Sequence, residues 1–128
     1  VPGVTSAIGV PALAGVPVTH RAITQELVVV SGHVAPGHPE SLVNWDALAA
    51  MRGTIVLLMA FERIEQFSTV LQKGGRPANT PVLVVQQGTM PAERTLRATL
   101  ADVPERIRSE GIRPPAIIVI GEVAAFGV

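Results

Sequence analysis

Three uninterrupted apolar runs constrain this chain more than any other feature: TIVLLMA (54–60), PVLVVQQ (81–87) and PAIIVIGEV (115–123). They are rich in Val and Ile, too short for ordinary helices and too continuous for strands with one wet face. Such segments become strands covered on both faces, and ELVVVSGH (26–33) reads the same way. The stretches between them have to supply the cover.

Those stretches carry helical signals. In NWDALAAMRG (44–53), Asn44 caps, Asp46 sits in the first turn and Gly53 stops the helix. FERIEQFSTVLQKGG (61–75) places Phe61, Ile64, Phe67 and Leu71 on one face before Gly74-Gly75. DVPERIRSEG (102–111) is a short helix from Asp102 to Gly111. Near the amino end, Thr5 and Ser6 precede AIGVPALAG, a helix that Pro11 kinks or shortens and Gly15 ends. VAPGHPES is a loop, GTMPAE turns the chain and RTLRATLA (94–101) returns as a strand. The expected fold is α/β, one domain over 1–128, with a mixed, mostly parallel five-stranded sheet flanked by helices.

Composition narrows the function classes. Ten basic residues balance ten acidic ones, so no basic field invites nucleic acid. Cysteine is absent, which excludes disulfides and thiolate metal sites and suits a reducing cytoplasm, the expected location. A mean hydropathy of +0.42 raises the question of a membrane. Pro2, Pro11 and Pro17 with Gly3, Gly9 and Gly15 make the uncharged opening a poor span, and the run Ile55–Phe61 is too short for one. Neither a signal peptide nor a lipidation motif is recognisable. The chain opens in mid-pattern at Val1, as a piece of a longer protein would.

In open α/β sheets, ligands collect beyond the carboxyl ends of strands. Here those positions hold Gly32-His33, Met59-Ala60 and Gln87-Gly88-Thr89. They offer no acid pair, no nucleophile elbow, no phosphate loop and no metal cluster, since His20, His33 and His38 lack ligand spacing. By residue type alone, Met59 reads as core filler, Gly88 as a turn glycine, Thr5 and Ser6 as helix caps, and His20-Arg21 as a surface pair.

The order of the segments says more. VPGVTSAIGVPALAGVPVTHR, followed by VVSGH, NWDALA, GTIVLLMA, TPVLVVQQGT, RATLADV and PAIIVIGEV, resembles the carboxyl-terminal half of the tetrapyrrole methylase family over essentially the whole chain. The resemblance implies an S-adenosylmethionine-dependent C-methyltransferase that converts uroporphyrinogen III to precorrin-2, on the way to sirohaem or cobalamin, with S-adenosylhomocysteine as the cofactor product. It makes Thr5, Ser6, Met59 and Gly88 the cofactor contacts. It also makes Thr19, His20 and Arg21 the contacts for the acceptor's acetate and propionate rim, with Arg21 as a bidentate clamp. Neither a metal nor a covalent nucleophile is needed, because methyl transfer from a sulfonium is mainly positioning.

The chain also departs from the family. The amino-terminal domain, with its glycine-rich loop and the usual acid-base candidates, is missing, so the expected partner is that domain and the fragment alone is expected to be inactive. Ala60 and Leu83 stand where smaller residues are common, and both are expected to narrow the cofactor slot. Exposed apolar surface in 1–18 suggests a homodimer. Two other readings stay open: a methylase acting on a later corrin precursor, and a non-catalytic dimerisation module.

Overall fold

The computed structural model describes residues 1–126. The elements follow as α1 (Ser6–Leu13), β1 (Leu27–Ser31), α2 (Trp45–Ala50), β2 (Thr54–Leu58), α3 (Ile64–Lys73), β3 (Pro81–Gln86), β4 (Arg94–Thr99), α4 (Val103–Glu110) and β5 (Ala116–Ile120). Single 3-10 turns at Phe61–Arg63 and Glu122–Ala125 complete them. Most local signals act as their chemistry requires, but Gly53 does not stop α2, which ends at Ala50 where Met51 turns extended. Thr5 Oγ1 accepts from the Ala7 N–H and caps α1, and Asn44 Oδ1 accepts from the Ala47 N–H and caps α2. Gly111, at φ 66°, closes α4 in the left-handed conformation.

The five strands form one sheet in the order β1-β2-β5-β3-β4. The sheet is mixed and flanked by helices, as expected, but its parallel majority needs correcting. β1, β2 and β3 point the same way, yet only the β1–β2 pairing is parallel, while β2–β5, β3–β5 and β3–β4 are antiparallel. The crossover through α3 skips one position in the sheet, and β5 later enters that gap with the opposite direction. Continuous apolar runs mark burial on both faces, and burial does not report which way a strand points.

β1 needs a second correction. It lies at the sheet edge and Val29 is 47% exposed, so this run is not covered on both faces.

Two apolar layers sandwich the sheet. On one face, α2, α3 and α4 pack over Ile55, Leu57, Val82, Val84, Ile118 and Ile120. The stripe on α3 buries Ile64, Phe67 and Leu71, and Phe67 stacks on Trp45 at 4.9 Å between ring centroids. The opposite face, Val56, Leu83, Val85, Ile117 and Val119, is covered by Ala7, Val16, Val18, Val123 and Ala124. Among the described residues α1 is the one α-helix on this second face, and its Ile8 and Leu13, with Val4 just before it, are exposed.

A buried arginine locks the end of the sheet where β2 begins. Arg76, 5% exposed, donates from Nη1 to Gly53 O and from Nη2 to Leu48 O. Burial lowers its pKa, against the opposing pull of the Glu122 and Glu26 carboxylates.

Candidate functional site

At the other end of the sheet three strand ends meet. The carboxyl ends of β2 and β3 flank the amino end of the antiparallel β5, and α1 lies across them. Between them opens a cleft of about 590 Å³, lined by Ser6 and Val10 of α1, Met59, Gln87, Gly88 and Ile117 among others. That volume is in the range of small-molecule sites. The walls are mainly apolar, with the Ser6 hydroxyl and the Gln87 carboxamide as the polar side chains.

The backbone around this cleft is strained. Four described non-glycine residues have positive φ: Ala22 (68°), Met59 (55°), Gln87 (46°) and Thr89 (70°). Met59 and Gln87 line the cleft and Thr89 follows Gly88. Each such residue costs roughly 1–3 kcal/mol and persists only where its surroundings hold it.

For Met59 the cause is visible. Ala60 turns inward, 1% exposed, beneath Gly32, where a Cβ at position 32 would come within 2.5 Å of the Ala60 Cβ. Gly32 N–H also donates to Leu58 O at 2.7 Å. The chain can leave β2 and bury Ala60 at once only by reversing sharply at Met59. That reversal throws the Met59 side chain outward, 65% exposed. Met59 is therefore not core filler.

Gly88 is not the hairpin's positive-φ residue either, because Gln87 and Thr89 carry that geometry. Gly88 serves a close approach: a Cβ there would stand 2.5 Å from Val10 Cγ1. Ala60 and Leu83 do not line the cleft. Both are buried, Ala60 under Gly32 and Leu83 among the residues beneath α1, so neither narrows it.

Ser6, Met59 and Gly88, distant in sequence, thus share one cleft, with Thr5 next to Ser6 as the cap of α1. Thr19, His20 and Arg21 do not join them. Val18 O accepts from Thr54 Oγ1 at 2.6 Å, at the start of β2. The His20 ring lies 4.7 Å from the Phe126 ring, beyond the end of β5. His20 and Thr24 bond each other's backbones around the strained Ala22, leaving Thr19 and Arg21 exposed. The length of β2, about 13 Å by strand rise, separates this turn from Met59.

A larger depression, about 650 Å³, lies between α2 and α3. It is walled by α2, α3 and the loop residues Pro36, Gly37 and Val43 and has no non-glycine residue at positive φ, so the cleft at the strand ends is the stronger candidate. Among the described residues, no three His, Cys, Asp or Glu side chains are placed to hold a metal ion. No described helix is long and apolar enough to cross a membrane.

Comparison with known proteins decides the family. The family described as Tetrapyrrole (Corrin/Porphyrin) Methylases matches residues 1–104. The chain belongs to this family. It is 42% identical over 123 residues to the S-adenosyl-L-methionine-dependent uroporphyrinogen III methyltransferase of Methanosarcina barkeri, covering 96% of this chain and 48% of that protein. It is also 42% identical over 124 residues to the uroporphyrinogen-III C-methyltransferase of Methanocaldococcus jannaschii, covering 96% of this chain and 50% of that one.

Among solved structures, a cobalt precorrin-4 methyltransferase superposes with a TM-score of 0.84 at 31% identity, over 97% of this chain and 52% of that chain. The uroporphyrin-III C-methyltransferase of Thermus thermophilus, complexed with S-adenyl homocysteine, gives 0.75 at 32% identity, over 96% of this chain and 52% of that chain. This tetrapyrrole methylase chain spans about half the length of these relatives.

Sequence reasoning missed part of the cleft of this methylase. Val10 and Met90 look like ordinary helix and turn residues, and Gln87 gives no signal beyond its place after a strand. Their roles come from the packing of α1 against the β3–β4 hairpin, which no local pattern encodes.

Proposed function

We propose that this chain supplies the carboxyl-terminal wall of the S-adenosylmethionine cleft in a C-methyltransferase that converts uroporphyrinogen III to precorrin-2. The observation that carries the proposal is the pair Met59 and Gln87, two strained residues at the ends of β2 and β3, on either side of β5, facing one apolar cleft with Ser6 and Gly88. Backbone strain of this kind accumulates where a ligand has to be met by a fixed surface. A cleft with soft, mostly apolar walls and few polar groups suits a nucleoside joined to a thioether chain. The Ser6 hydroxyl and the Gln87 carboxamide are available for the ligand's polar edges, and the bare Gly88 lets the backbone come close.

When bound, S-adenosylmethionine supplies an electrophilic methyl group on a sulfonium. The chain's own contribution is orientation. Ser6, Met59 and Gly88, with Thr5 holding the start of α1, fix the cofactor so that its methyl faces the acceptor carbon. The apolar walls exclude water from that line. No acid, base or nucleophile is assigned to this half.

In the same proposal Thr19, His20 and Arg21 bind carboxylates of the acceptor. Arg21 is exposed and takes part in no ion pair among the described residues, so its guanidinium is available for a bidentate contact. Its distance from Met59 makes it a contact for the acceptor's rim and not for the cofactor. The amino-terminal half present in relatives completes the cleft, and without it this chain turns over no substrate. Exposed Val4, Ile8 and Leu13 beside the thinly covered face give that half, or a second copy in a homodimer, an apolar surface to cover.

Calorimetric titration of S-adenosylhomocysteine, with and without a separately produced amino-terminal half, tests this. Weak binding to the chain alone and tight binding to the pair is the expected result. Heat in neither titration would refute the cofactor assignment, and methyl transfer by this chain alone would refute the shared cleft.

A further inference from the structure

Gln86 ends β3 and is 8% exposed, yet it lines no part of the cleft. Its neighbour Val85 faces α1 and the cleft, so strand alternation turns Gln86 to the opposite face of the sheet. There both ends of its carboxamide are bonded. Nε2 donates to Ala92 O at 3.1 Å, and Oε1 accepts from the Arg113 N–H at 2.8 Å.

These two partners belong to the two segments that form one side of the cleft. Ala92 lies in the β3–β4 hairpin loop, which contributes Gln87, Gly88 and Met90. Arg113 lies in the turn before β5, which contributes Pro115 and leads into Ala116 and Ile117 at the start of that strand.

Apart from the packing of Gly88 on Val10, the loop beyond Gln86 has few other restraints. Thr89 N–H donates to Glu93 Oε1 at 2.7 Å, and Met90 and Glu93 N–H groups close successive turns onto Gln87 O and Met90 O. These bonds are internal to the loop. One main-chain bond, Gln87 N–H to Pro115 O at 2.9 Å, joins it directly to the turn before β5. The Gln86 side chain is the second link, and it acts at Ala92, near the far end of the loop that opens with strained Gln87 and Thr89.

We infer that Gln86 is a positioning residue of the cleft: from behind the sheet, its carboxamide fixes the hairpin loop and the turn before β5 to each other and so sets the shape of the wall that meets the ligand. An amide is required because one end donates and the other accepts. A glutamate keeps the bond from Arg113 but sets a second acceptor against Ala92 O, and a leucine makes neither bond. The role of this wall in cofactor binding rests on the proposed function, whereas the coupling of the two segments does not.

The test uses the isolated chain and two NMR readouts: 15N order parameters without ligand, and chemical-shift titration with S-adenosylhomocysteine. Gln86→Leu should lower the order parameters of Gly88, Thr89 and Ala116 together, from a rigid value of about 0.85 toward about 0.6. It should also weaken S-adenosylhomocysteine binding about tenfold, because a loosened wall has to be ordered when the ligand binds. Thr80→Val removes the Thr80 Oγ1 bond to Pro77 O, at the opposite end of β3, and should lower the melting temperature while leaving both readouts unchanged. Should Gln86→Leu fail to fold, the near-isosteric Gln86→Glu is read in the same way.

Unchanged order in both segments overturns the coupling. Lost order with unchanged affinity in a chain that does bind overturns the positioning role. A wild-type chain that binds no S-adenosylhomocysteine either alone or with the amino-terminal half overturns the cofactor assignment instead, and the order parameters still decide the coupling.

Discussion

A Cβ placed on Gly88 would stand 2.5 Å from Cγ1 and 2.8 Å from Cγ2 of Val10, so helix α1 and the β3–β4 hairpin meet at a contact with room only for hydrogen. Val10 is β-branched and sits on a helix, which leaves it little rotamer freedom to retreat. Gly88→Ala should therefore destabilise the chain by about 1–3 kcal/mol through overpacking. Val10→Ala in the same chain should restore much of that loss, a non-additivity readable from urea unfolding midpoints. Equal, additive losses would mean that the two residues do not meet as described.

Met59 is 65% exposed and holds φ at 55°, so it contributes strain without contributing much burial. Met59→Gly should leave stability within about 1 kcal/mol of the parent, because relief of the strained conformation offsets the added freedom of the unfolded chain. The same substitution should weaken S-adenosylhomocysteine binding. Denaturant unfolding and ligand titration of one sample separate the two effects, and a loss of stability well beyond that range would show that Met59 is a packing residue after all.

Arg76 makes two hydrogen bonds to carbonyls from α2 and from the start of β2, a geometry that needs a forked donor. Arg76→Lys keeps the charge but cannot reach both acceptors. It should cost about 1–3 kcal/mol, read from chemical denaturation, with ligand binding at the distant cleft unchanged. No loss of stability would contradict the structural role assigned to it.

Much of the fold is legible because its signals are local. Asn44 and Gly111 act at the boundaries where cap and stop chemistry puts them, and the Ile64–Phe67–Leu71 stripe finds the sheet, whereas α2 stops at Ala50 with Met51 extended, before Gly53 is reached. The insertion of β5 between β2 and β3 is not legible, since strand direction depends on which gap the crossovers leave. The half-exposed β1 is misread because an edge strand and a central strand can carry the same Val-rich run. In the cleft, resemblance to the family picks out Ser6, Met59 and Gly88, which the fold brings together. Residue type alone misassigns Met59, whose exposure follows from the burial of Ala60 under Gly32. Arg76 and Gln86 escape notice because their partners are backbone groups, all but Ala92 far along the chain.

Arg21 stands at the far end of β2 from the cleft, beside the turn that packs His20 on Phe126. Arg21→Ala should leave the S-adenosylhomocysteine affinity of this chain unchanged and, in a full-length enzyme, weaken binding of the carboxylate-bearing acceptor. Paired titrations with the two ligands check this. Equal loss of both, or of neither, would remove Arg21 from the acceptor site.

The most direct measurement is a 1H–15N correlation spectrum of the isolated chain recorded during titration with S-adenosylhomocysteine. The expected result is a set of concentration-dependent shifts confined to Ser6, Met59, Gln87, Gly88 and Ile117, with the amides of Thr19–Ile23 and of α3 unmoved. Shifts centred between α2 and α3 or around Arg21, or a spectrum unchanged at saturating ligand, would contradict a cofactor cleft at the ends of β2 and β3.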